Sequence, residues 1–575
     1  MRIHTRLHTR LHALSTRPSL PTNLFRAGAA ALLSLLAACT SAPKQGAAGT
    51  TAAASTTSVA SAPAAVAPTP EPTPVAAPKQ PAIRPAESFD AVWTTVRDQH
   101  FDKTLNGVDW NAVRDELRPR AVEAASQDEL RGVLLEMLSR LGQSHFTVIP
   151  AAAAERSPTV ATAEEQIAAP APSPAERADA AAPAEAAGAE APDEAPASAV
   201  FGGPGLSGVD LALVGEDLVV LRVVPGSAGA KAGILTGWKL VSVDGRQASD
   251  SIRPLRDELA IESDSASPHA RQLRVALAVA GEQLLSGRAG ETRRVAFEDA
   301  SGAQQELSLR FEPAALGTTA FGNLPAFPIE VETRIVEIPA AAGKPIKVGV
   351  VGFNIWMTGA SAALDRAIDS MRGCDGVVID LRGNPGGVGA MAMGLAGHFL
   401  REPASLGSMI GRDNTLEFRA SPRKVSSEGK RVRPISKPLA IVQDARSAST
   451  SEVFAGGLQD LGRARVFGDA SAGMALPAQA IELPNGDVLL HAVADFVTSK
   501  GTRLEGRGVI PDETVVVTRE ALLEGRDPAL DAATAWIAGS TIAARSKKDA
   551  PSPTTAPAIE AVVAPTSMPT PPGER

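Results

Sequence analysis

The 575-residue chain reads as a multidomain protein of mixed α/β class, with a helical unit, a β-rich unit and an α/β core built on a mixed sheet. Three observations predict this. Towards the C-terminal half, apolar runs of strand length (Lys347–Phe353, Gly376–Asp380, Leu439–Val442) alternate with stretches whose apolar residues recur at helical spacing, which argues for helices laid on a sheet. Near the N-terminus three helical stripes follow one another with no strand between them. Long Ala/Pro-rich stretches with almost nothing to bury separate the units, and a chain of this length holds several cores. Composition excludes some classes: net charge is −8, so no basic surface argues for nucleic acid; Tyr is absent, so phenol chemistry is excluded; two cysteines cannot frame a disulfide scaffold.

Residues 1–38 are expected to be an export signal. Arg2, Arg6, Arg10, Arg17 and Arg26 precede the small apolar run Ala27 to Ala38, which is too short to span a bilayer. The run ends Leu36-Ala37-Ala38-Cys39, which resembles a bacterial lipobox; the resemblance implies cleavage before Cys39 and acylation of that residue, each buried CH₂ being worth about 0.8 kcal/mol. The alternative is an ordinary signal peptide with an incidental cysteine. Thr40 and Ser41 follow, with no Asp, and by resemblance to lipoprotein sorting this points to the outer membrane. Residues 39–85 read as a disordered tether with a reach on the order of 100 Å, 151–199 as an acidic Ala/Pro-rich linker, and 541–575 as a disordered tail.

Residues 86–150 form the helical unit. Phe89, Val92, Trp93, Val96 and His100-Phe101 mark one helix face, and Trp110, Val113 and Leu117 a second. Ser126 with Glu129 reads as a capping box opening a third helix, with Leu130, Val133, Leu134, Met137, Leu138 and Leu141 as its apolar positions. Gly142-Gln143-Ser144-His145 follows.

Residues 200–315 open with Gly205-Leu206-Ser207-Gly208-Val209-Asp210-Leu211 and continue through Asp217–Val223, Pro225-Gly226-Ser227-Ala228-Gly229-Ala230 and Gly237–Gly245. This resembles a PDZ domain of the protease-associated type. The resemblance implies binding of a peptide end by strand addition, its carboxylate on the loop Leu206, Ser207, Gly208, Val209. Trp238 stands where that family usually has Asp, and Asp210 lies close to the carboxylate loop. The other reading is a lid or spacer.

The core, 316–540, carries two strand-to-turn junctions. Gly376–Asp380 runs into the Gly-rich turn Arg382–Gly389, whose amides can approach a ligand with no Cβ in the way. Leu439–Val442 runs into Ala448-Ser449-Thr450-Ser451-Glu452, and Val453, Phe454, Leu458 and Leu461 then recur at helical spacing. Ser449 therefore sits where a strand gives way to a helix, the place where an α/β sheet offers side chains to a ligand. Ser449 with Glu452 is equally a capping box, which needs no chemistry. A helix is expected over Pro528–Ala538.

Asp380-Leu381-Arg382-Gly383-Asn384-Pro385-Gly386-Gly387, then Ser447-Ala448-Ser449-Thr450-Ser451-Glu452, then Glu505–Asp512, together resemble the tail-specific, or C-terminal processing, serine protease family. The resemblance implies that Ser449 is a nucleophile and that the amides of Gly386, Gly387 and Thr450 form an oxyanion hole. In the Ser/Lys branch the base is a lysine downstream; the matching position here is Met474, which cannot accept a proton. Leu141-Gly142-Gln143-Ser144-His145 resembles the base-bearing segment of the tricorn core protease branch. By that resemblance His145 is the base, Ser144 part of a supporting relay and Glu505 its orienting carboxylate. Lys500 is the other basic candidate. The implied activity is membrane-anchored hydrolysis of protein and peptide substrates in the cell envelope, without metal or cofactor. The alternative is a catalytically inert PDZ adaptor.

Overall fold

The computed structural model describes residues 83–150, 204–262, 267–313, 317–319, 327–340 and 344–549. The expected signal, Cys39, nearly all of the tether, the acidic linker and the tail beyond 549 lie outside the described residues.

Three amphipathic helices open the described chain. α1 (Pro85–Gln99) starts on proline, whose fixed φ and missing N–H suit a first turn, and buries Phe89, Val92, Trp93 and Val96. His100, expected in its stripe, is instead its C-cap, with extended backbone. α2 (Trp110–Val122) is capped by Asp109, whose side chain accepts from Ala112 N. The indoles of Trp93 and Trp110 each donate to the other residue's carbonyl, at 2.9 and 3.0 Å. α3 (Gln127–Ser139) is capped by Ser126 as expected, with Glu129 N 3.2 Å from its hydroxyl; the Glu129 carboxylate reaches Ala125 N rather than closing the box. A turn follows, and then β1 (Thr147–Ile149).

Residues 204–312 form an antiparallel meander. Its strands β2 (Val209–Val214), β3 (Asp217–Val223), β4 (Lys239–Val243), β5 (Thr292–Glu298) and β6 (Gln304–Arg310) pair in that order, with helix α4 (Ala228–Lys231) after β3 and helices α5 (Ala248–Ile261) and α6 (Pro268–Leu284) between β4 and β5. β2 is an edge strand, and α6 packs against it.

In the core, β7 (Val331–Ile338) pairs antiparallel with β8 (Ile346–Phe353); α7 (Ser361–Ser370) then crosses over to β9 (Gly376–Asp380). After α8 (Ala390–Ala396) and the hairpin β10 (Ala404–Gly411) and β11 (Thr415–Ala420), the chain returns through β12 (Leu439–Gln443), α9 (Thr450–Asp460) and β13 (Arg465–Gly468). Next come the hairpin β14 (Ala478–Glu482) and β15 (Val488–Ala492), β16 (Ala494–Thr498), β17 (Glu513–Thr514), α10 (Arg519–Leu523) and α11 (Pro528–Asp549). The main sheet runs β7-β8-β9-β12-β13-β17, parallel from β8 onwards. Its inner strands β8, β9 and β12 read as apolar runs because both faces are covered: one by α7, α8 and α9 around Trp356, Phe399 and Phe454, the other by α11 through Ala529, Leu530, Ala533 and Ile537. α11 continues eleven residues past the expected Ala538, so 541–549 are helix rather than tail.

Two features position a site. β9 and β12 are parallel neighbours in register Val377↔Leu439 to Asp380↔Val442, so the turns at their carboxyl ends open side by side. β1 adds to the β14–β15 hairpin, Thr147 opposite Leu490 and Ile149 opposite Val488. Leu476, Leu483 and Leu489 complete the core of the helical unit. That pairing carries residues 144–145 across three hundred positions of sequence to the core.

Candidate active site

The β12–α9 turn bends at Ser449, which holds φ 52° and ψ −115°. An ordinary N-cap has β-region backbone; this conformation favours glycine and costs roughly 1–3 kcal/mol, so the serine is held there by its neighbours. The capping box expected from sequence is present. The Glu452 carboxylate accepts from Ser449 N at 2.9 Å, and also from Ser471 Oγ, Gly473 N and Met474 N at 2.6, 2.8 and 3.0 Å. Glu452 is wholly buried, and burial pushes its pKa up to about 7 against the pull of those donors. Cap and strained elbow are one arrangement: the carboxylate fixes the turn that Ser449 heads.

The Gly-rich turn is laced onto this elbow. Thr450 Oγ1 donates to Gly387 O at 2.8 Å, Ser451 Oγ to Asn384 O at 3.0 Å, and Trp356 Nε1 to Ser451 Oγ at 2.8 Å. The glycines are sterically required. A Cβ on Gly386 (φ 101°) would lie 2.7 Å from Ser449 Cβ, and one on Gly387 (φ 139°) only 2.2 Å from Trp356 O. The amides of Gly387 and Thr450 have no acceptor among the described residues and stand beside Ser449. Gly386 differs from expectation: its N–H donates to Asn384 Oδ1 at 3.0 Å, so it shapes the turn and is not available to an oxyanion.

Ser144, His145 and Glu505 meet. Ser144 Oγ donates to Glu505 Oε2 at 2.8 Å and lies 2.8 Å from His145 Nδ1. Glu505 also accepts from Ser144 N at 2.9 Å and Ala475 N at 3.0 Å. Burial raises the Glu505 pKa against the pull of the Ser144 and Ala475 amides and the Ser144 hydroxyl. The single Ser144 hydroxyl proton goes to Glu505, so the contact with the imidazole is Nδ1–H donating to Ser144 Oγ. Nε2 is then the free acceptor. His145 keeps part of its surface open to the cavity but is ringed by protein, which pushes its pKa down to about 4.

Ser449, Thr450, Gly386, Gly387, His145 and Met474 line one cavity of about 960 Å³. No hydrogen bond joins Ser449 to His145 in it; such contacts are often open without substrate. Met474 is buried against residues of the 204–312 unit and offers no acceptor. Lys500 is exposed and does not line the cavity. Among the described residues no group of His, Cys, Asp and Glu could hold a metal.

The loop Leu206–Val209 lines the same cavity. Leu206 N donates to Glu312 O at 2.7 Å and Val209 N to Ser207 Oγ at 3.2 Å, whereas the amides of Ser207 and Gly208 have no acceptor among the described residues. Asp210 is ion-paired with Arg222 at 2.7 Å, so its charge is answered. Trp238 is tilted over Phe297 with centroids 6.3 Å apart; it packs the core of the meander.

Residues 347–515 match the model of peptidase family S41, and 81–139 that of the tricorn protease C1 domain. The chain is 24% identical over 430 residues to carboxyl-terminal-processing peptidase 3, chloroplastic, of Arabidopsis thaliana, covering 73% of this chain and 67% of that protein. It is 29% identical over 184 residues to carboxyl-terminal-processing peptidase 2, chloroplastic, of the same plant, covering 32% of this chain and 34% of that one. To the carboxyl-terminal-processing protease of a Picosynechococcus strain it is 30% identical over 29% of this chain and 39% of the relative. The chain thus spans little more than a third of the length of two of these relatives. A solved photosystem II D1 C-terminal processing protease aligns over 76% of this chain and 94% of its own, at 20% identity and TM-score 0.43.

Proposed function

We propose, from the match of residues 347–515 to peptidase family S41 and the likeness to carboxyl-terminal-processing proteases, that the chain is a C-terminal processing serine endopeptidase whose base is the imidazole of His145. The observation that carries this reading is the Ser144 hydroxyl, which bridges Glu505 and His145 Nδ1 and leaves Nε2 unprotonated beside the cavity that holds Ser449. Ser449 Oγ attacks a peptide carbonyl while His145 Nε2 takes its proton. The amides of Gly387 and Thr450 hold the oxyanion, each such donor being worth about 3–4 kcal/mol of barrier. His145 then protonates the leaving amine, and water, activated by the same imidazole, hydrolyses the acyl-enzyme. No step calls for a metal or cofactor.

The 204–312 unit, in this reading, is a PDZ-like domain that takes a substrate end on the free edge of β2, with the amides of Ser207 and Gly208 at its carboxylate. Acylated Cys39 anchors the chain in a bacterial cell envelope, at the outer membrane facing the periplasm, and the substrates are exported proteins.

Ser449→Ala tests the chemistry. Peptide cleavage and labelling by a fluorophosphonate probe are both lost, while the circular dichroism spectrum and thermal midpoint stay close to those of the parent. Retained cleavage in a clean preparation removes Ser449 from the mechanism.

A further inference from the structure

His145 stands at φ 60° in a turn that also holds Gly142 at φ 63°. Glycine takes that conformation freely, whereas a histidine persists in it only where its surroundings over-determine it. The loop that follows α1 supplies those surroundings. His100 is wholly buried, with Nε2 2.8 Å from Oε1 of Gln143, two residues before His145. Its ring stacks on Phe146, the residue after His145, with centroids 5.4 Å apart and planes 9° from parallel. Gln143 Oε1 can only accept, so Nε2 carries the proton it shares with Gln143, while Nδ1 lies 2.9 Å from Asp102 O and 3.0 Å from Asp102 N. Two further bonds fix the loop: Asn106 Nδ2 donates to Leu141 O and Arg412 Nη1 to His100 O, at 2.8 and 2.9 Å.

We propose that His100 is a positioning residue for the His145 imidazole, gripping the chain on both sides of it through Gln143 and Phe146. The inference rests on the role given to His145 above. It assigns a task to a histidine that touches neither Ser449 nor the cavity. A base whose backbone is strained needs its flanks held to keep Nε2 aimed, and a displacement of an ångström at such a group is felt in the rate rather than in binding.

Gln143→Met tests this at nearly constant volume, and His100→Gln tests whether an amide donor near the Nε2 position restores the grip. The readouts are the rate constant of fluorophosphonate labelling at Ser449 between pH 4 and 9 and the KM for a peptide. Gln143→Met is expected to slow labelling about 10- to 100-fold, leave KM unchanged, and move the acid limb to higher pH as water reaches a loosened imidazole. His100→Gln keeps most of the parental rate. A folded Gln143→Met protein with parental labelling rate and acid limb overturns the proposal. Should the parent itself resist labelling, it is the peptidase reading that falls. NMR titration of His145 then decides the positioning role: a pKa raised by Gln143→Met supports it, and an unmoved one overturns it.

Discussion

The Ser144 hydroxyl decides more than any other single atom group in the site, because it can donate only once. Donating its one hydrogen bond to Glu505, it sets the tautomer of His145, and desolvation favours the neutral ring. The direction of the pH effect follows. A base must be unprotonated; burial depresses the imidazole to about 4, well below the ordinary histidine value of about 6.5, so the ring stays competent as pH falls through 6 and 5. The acid limb of kcat/KM is expected near pH 4, measured with a neutral peptide; a limb near 6.5 that survives Glu452→Gln would mean an imidazole open to bulk water. Residues of this kind were partly legible in the sequence. Ser449, Ser144, His145 and Glu505 all carried motifs. Glu452 was visible as a cap, but its three other donors come from residues 471–474, and nothing local announces them. His100 sat in an apolar stripe and read as packing, because its partner lies 43 residues away.

At the scale of elements, the site is two turns at the ends of parallel neighbours, and it is built by close backbone approach. Gly387 shows the cost of any side chain there: a Cβ would enter the van der Waals shell of Trp356 O, at a φ that L-residues rarely adopt. Gly387→Ala is therefore expected to displace the turn from Ser449. Labelling at Ser449 should fall on the order of 10²- to 10³-fold, the loss typical of one oxyanion donor, while far-ultraviolet dichroism changes little. Parental labelling would show that the turn tolerates a methyl group and that its amide is not used. The strands themselves were legible because a sheet covered on both faces forces unbroken apolar runs. Gly386 was not. Glycine in the sequence says that the backbone comes close to something, but not which way the N–H points, and here it points at Asn384.

Over the whole molecule, the helical unit and the core share one interior. Arg131 of α3 forms a two-pronged ion pair with Asp487, at 2.8 and 2.9 Å, and that carboxylate is wholly buried and also bonded to Asn485. Removing one partner of a buried pair costs about 3–5 kcal/mol. Arg131→Met should lower stability by roughly that amount in urea unfolding and slow labelling at Ser449, because the β14–β15 hairpin next to Asp487 is also what β1 docks on. A variant as stable as its parent would place the strength of the junction elsewhere. Only the resemblance that set Ser144 and His145 beside Glu505 implied this union; an acidic stretch expected to be a linker separates the two parts, and strand addition leaves no local signature. The same docking sets the point at which a newly made chain becomes competent. Residues 144–145 leave the ribosome long before 488–490 and 505, so a nascent or truncated molecule carries an imidazole with nothing to serve. The hydrolase proposed above has its base in place only once the chain as far as Glu505 has been translated and folded back onto the helical unit.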